Sequence, residues 1–199
     1  MLTLPMQSLS NSEFPLTEYN SKILQIYLDS LDRYPDAQLL DLGPVCEENI
    51  KYFAKRARKL SVCDMFFRLD KHRRKGLSPE EVWTHLNYQP QSFNGIHLWD
   101  FIDHIDDNEV ERLSELCYTM LKPKGMLMTI SFDEQSMLPQ INSFVIQDNY
   151  RLTLRRQPHI DLPWYCRTIR TQTSLLSAFT PVKSFLYRNG VREMLFCRD

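Results

Sequence analysis

A short apolar segment that ends in a sharp turn constrains the fold of this chain more than any other feature. Residues 38–44 read Gln-Leu-Leu-Asp-Leu-Gly-Pro, and a segment with apolar residues at helical spacing follows. A buried strand that turns directly into a helix is typical of α/β domains, whose ligands bind at the carboxyl ends of the strands. The turn is poor in glycine, because Val45 and Glu47 occupy the alternate positions after Gly43.

Predicted strands alternate with predicted helices along most of the chain. The predicted strands are residues 39–42, 60–64, 93–99, 126–132, 150–156, 182–187 and 191–197, and helices are predicted to begin near residues 17, 50, 78, 107 and 173. This order predicts an α/β fold with a mainly parallel sheet and helices on both faces. The Asn-Gly pair at 189–190 lies between the last two strands and predicts a C-terminal antiparallel hairpin.

Length and charge predict one globular domain without a highly charged surface. The chain has 199 residues and a formal net charge of −1, which argues against binding to nucleic acid or membrane through bulk electrostatics. Residues 1–16 are predicted to form an N-terminal arm and residues 17–199 a single domain. Residues 133–170 break the alternation and are predicted to be an insertion over the substrate. We identify no signal peptide and no apolar run of membrane-spanning length.

The cysteines indicate neither a disulfide framework nor a metal centre. There are five cysteines, at positions 46, 63, 117, 166 and 197, and no two of them form a Cys-x-x-Cys pair. An odd, scattered set fits neither paired disulfides nor a zinc site. We therefore expect a reduced, cytoplasmic protein without a metal ion.

Two aspartates at strand positions are candidate ligand-binding residues. Asp64 ends the second predicted strand about 20 residues after the turn, where an acid accepts hydrogen bonds from ribose hydroxyls in dinucleotide-binding folds. Capping a turn or helix is the alternative role for Asp64. Asp41 lies within an apolar strand, where a carboxylate needs hydrogen-bond partners. It is predicted either to lie near a cofactor or to fix the turn.

Acidic residues and a histidine follow the third recognisable strand. His104 is a candidate general base there, and Asp100 is a candidate to orient it or the substrate. The alternative is structural, with Asp107 capping the next helix and Asp103 solvated. Trp99, the residue before Asp100, is predicted to pack in the core or to form a wall of an adenine site.

The order of these elements resembles the class I S-adenosylmethionine-dependent methyltransferases. Residues 39–43 resemble the first motif of that family, and residues 93–105 resemble its fourth-strand motif, an apolar strand that ends in Asp before a His-containing segment. Residues 116–127 resemble the Leu-Lys-Pro-Gly-Gly step into the fifth strand. The resemblance covers roughly residues 35–132 and 171–199. It implies a Rossmann-like fold and S-adenosylmethionine as the cofactor.

The resemblance also implies roles for individual residues. The residues it assigns to cofactor binding are Asp41, Gly43, Pro44, Asp64, Trp99 and Asp100. His104 and Asp100 are the residues it makes candidates for catalysis. The leading hypothesis for function is methyl transfer to a small-molecule acceptor, by in-line displacement at the sulfonium methyl group.

Two departures from the family pattern keep a second function open. The family loop reads approximately Gly-x-Gly-x-Gly, and only Gly43 remains of it. The stretch between Asp64 and Phe93 is also short for the usual third strand and its helices. The alternative function is that of a non-catalytic methyltransferase-like protein, a pseudoenzyme that serves as a binding or assembly partner, for example as a homodimer. Basic residues at 71–75 suggest RNA binding only weakly, because the chain as a whole is nearly neutral.

Overall fold

A computed structural model describes residues 18–133 and 141–199 of the chain. The predicted N-terminal arm, residues 1–16, lies outside the described residues. The strands are Glu18–Asn20 (β1), Gln38–Asp41 (β2), Lys59–Val62 (β3), Phe93–Trp99 (β4), Leu121–Phe132 (β5), Asn142–Ile146 (β6), Arg151–Arg156 (β7), Thr180–Leu186 (β8) and Val191–Cys197 (β9). The α-helices are Lys22–Leu31 (α1), Glu47–Ala54 (α2), Met65–Arg74 (α3), Pro79–Val82 (α4), Asp107–Met120 (α5) and Ile169–Leu175 (α6).

A six-stranded sheet with the order β3-β2-β4-β5-β9-β8 forms the centre of the protein. The first four strands of this order run parallel, and β9 pairs antiparallel with both β5 and β8. The predicted Rossmann-like fold with a C-terminal antiparallel hairpin is therefore confirmed. The stretch from 63 to 92, which is described throughout, contains α3, α4 and a 3-10 turn but no strand. As a result, β3 forms one edge of the sheet.

A second, three-stranded sheet forms beside the first, in the order β1-β7-β6. Two of its strands come from the predicted insertion, and the sequence patterns predicted only β7. The side chain of Asn49 on α2 holds this sheet in place. Its Nδ2 donates to the Phe144 carbonyl oxygen at 2.8 Å, and its Oδ1 accepts from the Ile146 amide at 2.8 Å. One buried side chain therefore satisfies two backbone groups of β6.

Apolar side chains pack on both faces of the six-stranded sheet, as predicted. On one face, residues of α1 and α2 such as Leu24 and Phe53 pack with Leu39 of β2. On the other face, α3, α5 and α6 contribute a larger cluster that includes Phe66 and Leu113. Removal of this apolar surface from water is the main favourable contribution to the free energy of folding.

Every described α-helix except α2 begins at a polar residue whose side chain accepts a hydrogen bond from the first turn. Asp64 caps α3 by accepting from the Phe67 amide at 2.9 Å, and Asp106 caps α5 by accepting from the Glu109 amide at 3.0 Å. The sequence pattern suggested Asp107 as the cap of α5, one residue too late. These contacts satisfy amides that the helix itself leaves unpaired.

Gly95 in β4 lies against the aromatic ring of Tyr27 on α1. A Cβ at this position would lie 2.6 Å from Cζ of Tyr27 and still closer to its hydroxyl oxygen. The Tyr27 hydroxyl is buried and has no hydrogen-bond partner among the described residues. Close contact between α1 and the sheet therefore requires a glycine in β4.

We expect the substitution Gly95→Ala to lower the free energy of unfolding by about 2 kcal/mol, because it overpacks the contact with Tyr27. Tyr27→Phe removes the nearest atom, so the same glycine substitution should cost less in that background. Urea denaturation of the two single variants and the double variant measures this coupling. An equal cost of Gly95→Ala in both backgrounds would contradict the proposed contact.

Candidate functional site

The predicted site residues lie together where β2, β3 and β4 end, and this row of strand ends is here called the carboxyl edge of the sheet. Asp41 ends β2 and Trp99 ends β4, and these strands are paired neighbours. The Cys63 amide donates to the Asp41 carbonyl oxygen at 2.8 Å, which places Asp64 at the same edge. The parallel arrangement therefore collects side chains that are far apart in the sequence.

Trp99 lies at the centre of the carboxyl edge, and its side chain is directed into the protein. Its backbone has a φ of +54°, and its side chain is only 2% exposed. Its indole Nε1 donates to Asp41 Oδ1 at 2.7 Å, and the Gly43 amide donates to the same oxygen at 2.9 Å. Three of the predicted cofactor-binding residues are thus joined to one another by hydrogen bonds.

The indole of Trp99 takes the space beside the only glycine that remains in the loop. A Cβ at Gly43 would lie 2.6 Å from Nε1 of Trp99 and 3.2 Å from Oδ1 of Asp41. The ring of Phe144 stacks on Trp99, with the ring centroids 5.6 Å apart and the planes 5° from parallel. The space into which a side chain at Gly43 would extend is therefore occupied by the indole, and the Phe144 ring stacks on that indole.

The residues present do not fit S-adenosylmethionine in this arrangement. Asp41, Gly43, Pro44, Trp99 and Asp100 are all buried within the chain itself. The cofactor would need contact with the loop at Gly43, which the indole now provides. The assignment of these residues to cofactor binding stays a prediction, and it requires that Trp99 first leave this position.

Asp64 uses both carboxylate oxygens to organise its own surroundings. Oδ2 accepts from the Val45 amide at 3.0 Å, and Oδ1 accepts from the Phe67 amide at 2.9 Å. Burial raises the pKa of this carboxyl, and the two amides partly oppose that rise. Strand β3 ends at Val62, so Asp64 lies two residues beyond it and not at its last position as predicted, and the contacts seen are those of the capping alternative. Its role toward a ribose stays a prediction.

The acids that follow the loop belong to the surface of α2. Glu47 pairs with Lys51 at 2.5 Å across one helical turn, and Glu48 pairs with Arg155 of β7 at 2.5 Å. The hydrogen bonds from Arg155 hold the pKa of Glu48 down at about 2. Acids in a first helical turn also complement the helix dipole. Their contacts are therefore structural.

The hydrogen bonds to the buried carboxylate of Asp41 offset only part of the free-energy cost of burying its charge. Burial raises its pKa to about 6, although the hydrogen bonds from Trp99 and Gly43 act in the opposite direction. A carboxylate inside a protein needs such donors to remain charged near neutral pH. The two donors stabilise the charged form of Asp41, and Asp41 in turn satisfies the hydrogen-bonding groups of the indole and the loop amide.

The two predicted catalytic residues lie together beneath the insertion. His104 Nε2 is 3.6 Å from Asp100 Oδ2, and its Nδ1 is 2.8 Å from the Pro163 carbonyl oxygen. Burial lowers the pKa of His104, but the neighbouring Asp100 outweighs this effect and leaves the pKa raised. The ring is only 1% exposed and lies 5.0 Å from Trp164. Its role as a general base stays a prediction, because no substrate atom can reach it in this arrangement.

Asp103 completes this buried cluster. Its Oδ2 accepts from the Phe132 amide at 3.3 Å, and its Oδ1 accepts from Gln172 at 3.4 Å. Burial, followed by repulsion from Asp100, raises its pKa to about 8. The structural alternative predicted a solvated Asp103, and that prediction is wrong, because the side chain is fully buried between β5 and α6.

Residues 160–168, here called the strap, close over the cluster. The buried Arg167 donates to the carbonyl oxygens of Ile102 and Ile105 at 2.5 and 2.7 Å, and to Asp107 at 2.7 Å. The Tyr165 amide donates to the Asp103 carbonyl oxygen at 2.7 Å. Sequence reasoning missed Arg167, Asn49 and Phe144, because each acts through contacts with residues far away in the sequence, which leave no periodic signal.

The described residues provide neither a metal site nor a membrane span. No group of His, Cys, Asp or Glu within residues 18–133 and 141–199 is placed to hold a metal ion. No helix in these same ranges is long and apolar enough to cross a membrane. Within the described residues, Cys46, Cys63, Cys117 and Cys197 are free thiols.

The raised pKa of Asp103 predicts a fall in stability as pH increases. The folded protein keeps a proton on Asp103 up to about pH 8, whereas the unfolded chain loses it near pH 4. The unfolded state therefore binds fewer protons across this window, so the free energy of unfolding decreases with pH. The raised pKa of His104 acts in the same direction.

We expect Asp103→Asn to reduce this loss of stability between about pH 6 and pH 9 by about 2 kcal/mol. Urea denaturation at the two pH values measures it, and Asp29→Asn on the exposed side of α1 is the matched control. An unchanged pH dependence in the Asp103 variant would show that this carboxyl does not titrate in the predicted window.

Comparison with known proteins gives similarity of structure only. No protein-family model matches the chain, and no curated protein matches it. An S-adenosylmethionine-dependent methyltransferase from Mesorhizobium loti has a similar structure, with a TM-score of 0.55 and 14% identity over 86% of this chain and 95% of that one. The N-methyltransferase NodS from Bradyrhizobium japonicum has a TM-score of 0.51 and 15% identity, over 89% and 95% of the two chains.

A third similar structure includes ligands. It is the 1,6-didemethyltoxoflavin-N1-methyltransferase from Burkholderia thailandensis with bound 1,6-didemethyltoxoflavin and S-adenosylhomocysteine. Its TM-score is 0.50, with 16% identity over 89% of this chain and 78% of that one. Identities this low establish the architecture and leave the activity open. The sheet order, the closing hairpin and these similarities together identify the fold of this chain as that of the class I S-adenosylmethionine-dependent methyltransferases.

Proposed function

We propose that this protein is a non-catalytic member of the methyltransferase fold that acts as a binding or assembly partner. The observation that carries the proposal is the indole of Trp99, which covers Gly43 and donates to Asp41. The chain thereby fills, with its own side chain, the approach to the loop that defines this fold's cofactor site. The proposal accounts for the loss of the other glycines as well.

The free-energy cost of opening supports the proposal. Removing a buried tryptophan from a core costs about 3–5 kcal/mol in typical proteins. A cofactor that had to displace Trp99 from Phe144 would bind at least about a hundredfold more weakly for each 3 kcal/mol of opening cost. Asn49, which holds β6 and therefore Phe144, adds to that cost.

Methyl transfer from S-adenosylmethionine to a small molecule is the second candidate function. Its support is that Asp41, Gly43 and Asp64 stand at the strand ends where this fold binds its cofactor. The similar protein from Burkholderia thailandensis was found with a small molecule and S-adenosylhomocysteine bound. This candidate requires the strap and Trp99 to move, since His104 and Asp100 are otherwise out of reach.

Other assignments stay predictions. A cytoplasmic location is consistent with the free thiols of Cys46, Cys63, Cys117 and Cys197. The division into an arm, one domain from residue 17 and an insertion at 133–170 stays a prediction too. We propose no nucleic-acid partner, because the net charge of −1 offers little bulk attraction to phosphates.

Strand β8 is the surface that we propose for assembly with a second copy of the chain. It is the outer strand of the sheet beyond β9, and most of its side chains are exposed on both faces. Val182 and Leu186 are 43% and 64% exposed. An outer strand with apolar exposed residues is a template for pairing with another strand. Antiparallel pairing of β8 with its copy would continue the sheet across a two-fold axis.

The first test is the melting temperature with and without S-adenosylhomocysteine. We expect no rise at millimolar ligand, because Trp99 occupies the loop. The methyltransferase from Burkholderia thailandensis is a suitable positive control, since it binds this compound. A ligand at about 100 times its dissociation constant would raise the melting temperature by about 5–10 °C for a chain of this size. Such a rise would contradict the closed site and favour the methyl-transfer candidate.

The second test is the oligomeric state of the protein. We expect sedimentation velocity to show a concentration-dependent dimer, and Leu186→Lys to weaken it by about tenfold or more, since a charge would be buried at the new strand pair. Lys55→Glu reverses a charge on the exposed C-terminal end of α2, outside β8, and serves as a control for surface charge. A monomer at all concentrations would reject β8 as a self-association surface. It would leave the result of the S-adenosylhomocysteine test unaffected.

A further inference from the structure

A groove along the outer face of α5 takes no part in the proposed function. Two adjoining cavities form it, with volumes of about 510 and 590 Å³, and both are open to solvent. They share Arg112, Leu116 and Thr119 of α5 as lining residues, so they are continuous. We call this pair of cavities the α5 groove. Each has the size of a site for a small molecule, since such sites usually have volumes of about 300–1,000 Å³.

One half of the α5 groove has apolar walls. The chain between α4 and β4, which includes the 3-10 turn Trp83–Leu86, lies opposite α5 there. The apolar side chains that line this half are Trp83, Leu86, Tyr88, Pro90, Leu116 and Met120. The Trp83 indole N–H donates to Glu109, and Tyr88 packs edge to face on Phe93 with the ring centroids 5.1 Å apart. These contacts hold two aromatic rings in place at the wall of the groove.

The other half of the α5 groove is acidic. Glu111 and Glu115 line it and lie one helical turn apart on α5. Neither makes an ion pair with any residue in the part of the chain that the structure describes. Like charges at this spacing destabilise a helix slightly, so a bound cation would relieve their repulsion.

The charge balance of the whole groove also favours a cation. Glu80 is the third carboxylate of the lining, and Arg112 is the only basic residue among the described residues that line either half. These two side chains are 3.9 Å apart, and both are exposed to solvent. An exposed pair of this kind contributes little free energy. Three carboxylates therefore face one guanidinium group, and the resulting field attracts positive charge.

We propose that the α5 groove binds a small amphipathic amine, an organic cation with an apolar ring or chain. The apolar body packs against Trp83 and Leu116, and the ammonium group lies beside Glu111 and Glu115. Aromatic walls suit such a ligand, because their faces attract cations as well as apolar groups. The residues around Trp99 do not line the groove. The proposal is therefore independent of whether the cofactor site is open.

The test is a titration of ¹⁵N-labelled protein with phenethylamine, which is a cation at neutral pH. The chain has three tryptophans, and the indole N–H resonance of Trp83 is the one that a Trp83→Phe variant lacks. We expect this resonance to shift in a saturable way, with a dissociation constant of about 1 mM or below for so small a ligand. The anion 3-phenylpropionate has the same ring and a similar chain, and we expect it to bind about tenfold more weakly or less.

Two variants test the two halves of the groove separately. The double variant Glu111→Gln and Glu115→Gln should weaken phenethylamine binding by about threefold or more, because two attractive charges are lost. Glu81→Gln is the matched control, since Glu81 is an exposed acid of α4 outside the lining. Thr119→Phe places a ring where the two cavities meet and should weaken binding by about tenfold or more. Thr119 is exposed, so this substitution leaves the core intact.

The outcomes separate the proposed site from unspecific binding. The absence of a saturable shift at Trp83 up to about 10 mM amine would overturn the proposal, as would equal binding of phenethylamine and 3-phenylpropionate. Full affinity in both folded groove variants would also overturn it. A saturable shift at Trp99 without one at Trp83 would place the ligand at the carboxyl edge and would likewise reject the α5 groove.

Discussion

The hydrogen bond from the Trp99 indole to the Asp41 carboxylate is the contact on which the rest of this edge depends. It joins the ends of β2 and β4, and the Gly43 amide shares the same oxygen. A hydrogen bond to a charged group contributes about 1.5–3 kcal/mol, and an unpaired buried carboxylate costs more than that. The pKa of Asp41, raised to about 6, shows that burial still outweighs the donors. The loop, the ends of β2 and β4 and the indole therefore stabilise one another through this carboxylate.

The position of β6 is explained by this contact, because the outer face of the Trp99 indole would otherwise be exposed to water. Phe144 covers that face in a near-parallel stack, and Asn49 holds the strand that carries it. The strap extends the cover to Asp103 and His104 through the hydrogen bonds of Arg167. The segment that breaks the regular alternation of strands and helices thus completes the core above the sheet.

The sequence predicted the elements whose own pattern determines them. Strand β4 and the start of α5 lie where predicted, since a short segment rich in apolar residues and a regular helical stripe need no other information. Strand β6 was missed, because five residues that are buried on both sides do not alternate. Helix α3 was missed as well, because its apolar residues are confined to its first half and four basic residues end the helix. Tertiary packing, which no local window contains, decides both cases.

The candidate site shows the same division between position and orientation. The sequence placed Asp41, Asp64 and Trp99 at strand ends, but the direction of the indole follows from a backbone φ of +54°, which only tertiary contacts can impose on tryptophan. The glycine pattern has a consistent explanation in these terms. Val45 does not adopt a positive φ and is exposed to solvent, so the loop that follows Gly43 no longer needs glycine. The one glycine that remains is the one against which Trp99 packs, which indicates that contact with the indole keeps it small.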